Sequence, residues 1–225
     1  MEEKTVRLIE NFVSWQGEGP DSGCTMIILR FKTCNKKCPW CDTSVKMRIS
    51  SEAPYTLSDI QNTIYERAAG LLITGGEPTV DRHFDECVSL LNDLTYPMAN
   101  VETNGYNLTG LIKDVDPMKP VKFIYSPKIF TANDGAEARE ILKEVEMTPN
   151  LFVKMVYEPE NDYSMLFLNY IRDEMSSLIK RQRVWLMPKG TTRSDLITNA
   201  GPVFDACEKY NFNFSSRSHI MFGFV

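Results

Sequence analysis

Short apolar runs alternate with amphipathic, helix-period segments along most of the chain. Six runs, at residues 25–31, 70–74, 99–103, 121–125, 151–156 and 183–187, are apolar or β-branched and end in polar or turn-forming residues. That is the pattern of buried strands. Between them apolar residues recur at spacings of three and four. Leu57, Ile60, Ile64 and Ala68 follow Thr56-Leu57-Ser58-Asp59, which has the character of a helix N-cap. Phe84, Cys87, Val88, Leu91 and Leu94 repeat the period, as do Ile141, Leu142 and Val145. A longer stripe through Met165, Leu168, Ile171, Met175 and Ile179 reads as core packing. Strands interleaved with helices imply right-handed βαβ crossovers and a parallel sheet. No repeat, low-complexity tract or linker divides the sequence, so a single α/β domain over residues 1–225 is expected.

In parallel sheets the loops at the C-terminal strand ends converge, and chemistry gathers there. The distinctive residues fall at those positions. Cys34, Cys38 and Cys41 follow the first run, Gly75-Gly76-Glu77-Pro78 the second and Glu102-Thr103-Asn104-Gly105 ends the third. Ser126-Pro127-Lys128 follows the fourth and Met187-Pro188-Lys189-Gly190 the sixth. This rim is the predicted active face.

Composition removes several classes. An apolar content of 43% excludes intrinsic disorder, and the longest apolar runs, such as Met26-Ile27-Ile28-Leu29, are too short to span a bilayer. A net charge of −5 without a basic stripe argues against nucleic acid as a partner. Met1-Glu2-Glu3-Lys4 lacks the pattern of a secretory signal, so a cytoplasmic location with reduced thiols is expected. Cys24, Cys87 and Cys207 are scattered and read as small buried hydrophobes. The other three cysteines form C-x3-C-x2-C, close enough to wrap one inorganic centre. Structural zinc needs four ligands, and neither histidine, His83 or His219, lies near the triplet. Three thiolates on a [4Fe–4S] cluster leave one iron open to a small molecule. A degenerate zinc knuckle and unrelated free thiols are the competing readings.

The triplet and Gly75-Gly76-Glu77-Pro78 resemble the two signatures of the radical S-adenosylmethionine (SAM) enzymes. Further segments are similar to the 7-carboxy-7-deazaguanine synthase family within them. These are Ser14-Trp15-Gln16-Gly17-Glu18-Gly19-Pro20, Gly23, Leu29-Arg30-Phe31, Cys41-Asp42-Thr43, Glu102-Thr103-Asn104-Gly105, Tyr125-Ser126-Pro127-Lys128 and His219. The resemblance runs from about residue 8 to the end and is densest over residues 12–43. It implies a partial TIM barrel, a (β/α)6-like radical SAM core with the cluster loop after its first strand, in a homodimer. The implied reaction converts 6-carboxy-5,6,7,8-tetrahydropterin to 7-carboxy-7-deazaguanine with loss of ammonia, on the route to queuosine and other deazapurines. Magnesium and a flavodoxin-type reductant are implied as well.

By the same resemblance Cys34, Cys38 and Cys41 hold the cluster and Thr43 places an oxygen on magnesium. Gly75, Gly76, Glu77, Glu102, Asn104, Ser126 and Lys128 serve SAM. Gln16, Glu18, Arg30, Thr74, His219 and the carboxylate of Val225 serve the substrate. The residues themselves leave other roles open: an internal ion pair for Arg30, a cap or turn for Thr43, a solvated surface position for Lys128 and a core position for His219. The chain departs from the family where Thr33 replaces a glycine before the first cysteine. It departs again where Phe152 replaces an acidic residue and Met187 a glutamine found in some members. Two competing classes remain: an activase that makes a glycyl radical on a partner protein, and a non-enzymatic iron–sulfur or zinc protein.

Overall fold

The computed structural model describes residues 3–175 and 182–224, which fall into two compact units. The first holds the chain up to Gln16 and from Gly23 to Phe123. Its β1 (Thr5–Leu8) pairs antiparallel with β4 (Ala53–Thr56). A second sheet has the order β2 (Glu10–Trp15), β3 (Thr25–Phe31), β5 (Gly70–Gly75), β6 (Ala99–Thr103). The β2–β3 pair is antiparallel; β3, β5 and β6 are mutually parallel. Side chains alternate across a strand, and here both faces are buried. Met26, Ile28 and Leu72 form a cluster with Phe12, Cys24 and Met98, while Ile27, Leu29, Phe31, Leu71 and Ile73 are buried on the other face. Two covered faces explain why these strands read as unbroken apolar runs.

The helices of this unit are α1 (Ser44–Ile49), α2 (Leu57–Arg67), α3 (Asp81–Asp93) and α4 (Leu108–Asp114). The cap read at Thr56 is present: its hydroxyl accepts the Asp59 N–H at 3.0 Å, and Ile60 and Ile64 are buried. α3 buries His83, Cys87, Leu90 and Leu91.

The second unit holds residues 17–22 and the chain from Ile124 onward, and β7 (Val121–Tyr125) has residues in both. Its β8 (Leu151–Tyr157), β9 (Val184–Pro188) and β10 (Asn213–Phe214) are parallel in that order. The helices are α5 (Ala132–Val145), α6 (Asp162–Glu174), α7 (Arg193–Tyr210) and α8 (Ser218–Phe222). Capping boxes at Thr131/Asp134 and Thr192/Asp195 start α5 and α7, and Asn161 caps α6. α6 ends at Glu174, and Ile179 of the long apolar stripe lies outside the described residues. α7 escapes a sequence reading because Gly201 and Pro202 interrupt its period; Pro202 withdraws one helical N–H. β1, β4 and β10 carry too few residues to announce themselves, and β2, Glu10-Asn11-Phe12-Val13-Ser14-Trp15, has no unbroken apolar run.

The six strand runs are all present, three of them displaced or extended by one residue. The protein is therefore an α/β chain with parallel sheet pairing, as its pattern requires. No helix among the described residues is long and apolar enough to cross a membrane. Replacing Thr56 by Ala removes the acceptor for Asp59 N–H and is expected to cost about 1 kcal/mol in chemical denaturation. A change within error would show that α2 does not depend on this cap.

Candidate active site

The cluster loop leaves β3 at Phe31. Cys34, Cys38 and Cys41 are each half-buried and none is in a disulfide. Lys36 N–H donates to Cys34 Sγ at 3.4 Å, and Asn104 Nδ2 lies 3.8 Å from the same sulfur while donating to Asn35 Oδ1 at 2.8 Å. Cys41 Sγ and Thr43 Oγ1 are 3.4 Å apart, and the Cys41 N–H donates to Cys38 C=O at 3.2 Å. Thr43 also occupies the N-cap position of α1 without making a side-chain cap bond.

The loop after β5 is clamped to the base of the cluster loop. Gly75 has φ of +134°, and a Cβ there would stand 2.3 Å from the Phe31 carbonyl oxygen. A Cβ on Gly76 would stand 2.2 Å from the Thr33 carbonyl oxygen. The Gly76 N–H donates to Phe31 C=O at 2.9 Å and the Glu77 N–H to Thr33 C=O at 2.7 Å. Only glycine permits this approach.

Glu77 is 1% exposed. Its Oε1 accepts the Thr79 N–H at 3.1 Å and the hydroxyls of Thr79 at 2.7 Å and Thr103 at 2.6 Å. Its Oε2 accepts the Asn104 N–H at 2.5 Å. Burial pushes the carboxyl above its usual range, and these four donors oppose that rise. The side chain thus ties the loops after β5 and β6 together. Thr79 was not singled out from sequence, and Thr103 entered only within the Glu102-Thr103-Asn104-Gly105 segment without a role of its own; a Glu with threonines on its own and a neighbouring loop is the signal for them.

Register brings three expected residues onto one face: Arg30 pairs with Thr74, and Glu102 follows on the neighbouring strand. Glu102 accepts from Gln16 Nε2 at 3.2 Å and from Thr74 Oγ1 at 3.3 Å. Arg30 sits opposite Glu10 across the β2–β3 pair, and its Nε donates to Glu10 Oε2 at 2.5 Å. Lys46 Nζ reaches the other Glu10 oxygen at 2.8 Å. Burial raises the Glu10 carboxyl, but Lys46 and Arg30 more than offset it and hold the group below its usual range. The internal ion pair left open for Arg30 is therefore present, made through one edge of its guanidinium.

In the second unit Glu18 is the centre. Its Oε2 accepts from Lys154 Nζ at 2.7 Å and its Oε1 from Arg217 Nε at 2.9 Å, with His219 Nε2 at 3.8 Å. Burial opposes ionisation, yet Lys154, Arg217 and His219 hold the carboxyl well below its ordinary value. Arg217 Nη1 also donates to Gly190 C=O at 2.5 Å from a left-handed backbone, φ 54°. The Ser218 N–H bonds Gly17 C=O at 2.9 Å, and a Cβ on Gly17 would strike the His219 ring. Lys154 and Arg217 were missed as site residues. The signal for Lys154 was a lone cation inside Leu151-Phe152-Val153-Lys154-Met155-Val156-Tyr157; Arg217 offered none. Lys128 Nζ donates to Ser126 Oγ at 2.6 Å. The departures are apolar: Met187 is buried, and Phe152 packs against Trp185 and lies under the Arg183 guanidinium. Val225 lies outside the described residues.

A three-thiol loop pinned to a glycine turn at adjacent parallel strand ends defines a class: α/β proteins that bind an iron–sulfur cluster through a single loop. The chain belongs to the family described as 4Fe-4S single cluster domain, which it matches over residues 15–132. It is 28% identical over 224 residues to the 7-carboxy-7-deazaguanine synthase of Hyperthermus butylicus, covering 96% of this chain and 92% of that one. It is 38% identical over 102 residues to the synthase of that name from Neisseria meningitidis serogroup B, covering 45% and 46% of the two chains. It shares the fold of the crystal structure of QueE from Escherichia coli, with a TM-score of 0.60, 19% identity and coverage of 93% and 92%.

The Glu18 shift predicts a pH effect. A glutamate in the unfolded chain titrates at about 4.3, and in the folded protein it titrates lower. Its contribution is therefore complete above the unfolded value and is lost as pH falls through the folded one. Wild-type stability is expected to fall more steeply with acid below about pH 4 than that of Glu18→Gln. Parallel curves in acid denaturation would remove Glu18 as the cause.

Proposed function

We propose that the protein is a 7-carboxy-7-deazaguanine synthase that uses a [4Fe–4S] cluster and SAM to contract 6-carboxy-5,6,7,8-tetrahydropterin, releasing ammonia. The observation that carries this reading is the cysteine loop hydrogen-bonded to the Gly76-Glu77 peptide, in a chain similar along 96% of its length to such a synthase. The donor set suits the cluster: three uncrosslinked cysteines in one loop, with an N–H already directed at one sulfur. Asn104 Oδ1 is buried without a hydrogen-bond partner among the described residues, two bonds from the amide nitrogen beside Cys34, which suits a bound ligand there. Cys34, Cys38 and Cys41 would hold the cluster, and when bound it supplies the electron that opens the SAM sulfonium to a 5′-deoxyadenosyl radical.

This chain's residues do the positioning. Gly75, Gly76 and Glu77 present the loop that receives the methionine end of SAM, the glycines by fitting it against the cluster loop and Glu77 by tying it to the loop after β6. Glu102, Asn104, Ser126 and Lys128 serve its polar groups. Gln16, Glu18, Thr74 and His219 read the donor–acceptor edge and ring substituents of the pterin. Arg30, paired to Glu10 through Nε, offers its other edge to the substrate carboxylate. Val225 is assigned to the substrate by resemblance alone. Thr43 gives one oxygen to magnesium, a cation that keeps few protein ligands. A single radical SAM domain over residues 1–225, a cytoplasmic homodimer and a flavodoxin-type reductant belong to the same proposal.

Anaerobically reconstituted protein is expected to be brown with about four irons per chain. With the carboxytetrahydropterin, SAM, reductant and magnesium, mass analysis should show the deazapurine acid and deoxyadenosine together. Deoxyadenosine without a pterin product would point instead to a protein-activating enzyme; a colourless zinc protein would end the proposal. Arg30→Lys, which loses the planar fork, is expected to lower pterin turnover far more than abortive SAM cleavage. Equal losses would detach Arg30 from the substrate.

A further inference from the structure

His83 is one of two histidines and has no part in the roles above. It is 1% exposed, in the first turn of α3, and its ring stacks on Phe31, the last residue of β3, at 4.7 Å between centroids and 29° between planes. Its Nε2 accepts the Thr33 N–H at 3.2 Å. Thr33 is the residue immediately before Cys34, and all three of its polar groups are held. The N–H goes to His83, the C=O accepts the Glu77 N–H at 2.7 Å, and the hydroxyl lies 3.5 Å from Arg82 Nη1. Arg82 is itself ion-paired with Glu52.

We propose that His83 is a positioning residue for the cluster, its Nε2 lone pair fixing the Lys32–Thr33 peptide and with it the residue from which Cys34 presents its sulfur. This rests on the reading that Cys34, Cys38 and Cys41 bind the cluster. The hydrogen bond assigns the tautomer: Nε2 is an acceptor, so the proton sits on Nδ1, which faces Glu86 Oε2 at 4.0 Å. Burial, aided by the Arg82 charge, pushes the imidazole below its usual range and keeps it neutral, with Glu52 acting in the opposite sense. A cysteine sulfur is one rotatable bond beyond its Cα, so the placement of Thr33, held at its N–H by His83 and at its C=O by Glu77, decides where the Cys34 sulfur can reach. The arrangement is that of an outer partner that orients a ligand without touching the metal. A threonine rather than a glycine before Cys34 fits it, because the added hydroxyl gives Arg82 a further hold on the same residue.

Two variants separate hydrogen bonding from packing. His83→Phe keeps a ring against Phe31 but has no acceptor; His83→Gln places an amide oxygen near the Nε2 position. Each is reconstituted anaerobically and challenged with an iron chelator, and the loss of cluster absorbance is followed. His83→Phe should release iron about tenfold faster than wild type or more, and His83→Gln should stay within about twofold of it. Metal-free forms of the two variants should melt together. Wild-type rates in His83→Phe, or equal acceleration in both variants, would overturn the assignment. So would a metal-free His83→Phe that melts well below His83→Gln, which would mark a hydrogen bond that holds the fold rather than the cluster. Wild-type protein that holds no iron after reconstitution would overturn the cluster reading itself, and the proposal with it.

Discussion

The first unit depends on one buried carboxylate. Taking Glu77 out of water is costly, and the cost is offset only because four donors from two loops converge on its two oxygens. Those donors are neutral, so the carboxyl stays above its ordinary range. The consequence is geometric. With the side chain turned inward, the backbone of Gly76 and Glu77 is free to lie against Phe31 and Thr33, and the cluster loop starts from a rigid base. Cys34, the next residue along, inherits that placement.

Glu18 shows the same side chain under the opposite conditions. It too is buried, but its donors are an ammonium and a guanidinium, and its carboxyl falls well below the usual range. A buried ion cluster of this kind adds little net stability relative to apolar packing, yet removing one partner strands a charge. Its worth lies in fixing geometry. The Gly17–Gly19 turn is fastened from both sides, by Ser215 on the Gly19 N–H and by Ser218 on the Gly17 carbonyl. A carboxylate kept ionised and immobile is a suitable reader of ring N–H groups, whereas a mobile one would lose entropy on each binding event.

Arg30 illustrates how a structural ion pair is compatible with the binding role proposed for the same residue. Its pairing with Glu10 follows from antiparallel register, and Lys46 from α1 completes the compensation. A half-buried guanidinium without such a partner would be expensive to keep. The ion pair therefore does not compete with the proposed substrate contact; it holds the guanidinium in one orientation.

Much was legible in the chain before any coordinates. Apolar runs bounded by polar turns placed the parallel strands, because a strand covered on both faces has no polar alternation to blur it. The Thr56 cap was legible because its chemistry is local, within three residues. The cysteine triplet was legible because a cluster loop is also local, its spacing set by the size of what it wraps. The partners of those residues were not. Glu77 with Thr103, Glu18 with Lys154 and Arg217, and Thr33 with His83 are far apart in sequence and meet only through strand register and helix docking. Sequence by itself determined the fold class and the ligand types, since both follow from periodicity and short-range spacing. Tertiary structure alone decided which charges are compensated and which loops are locked, because burial and long-range contact do not exist until the chain has folded.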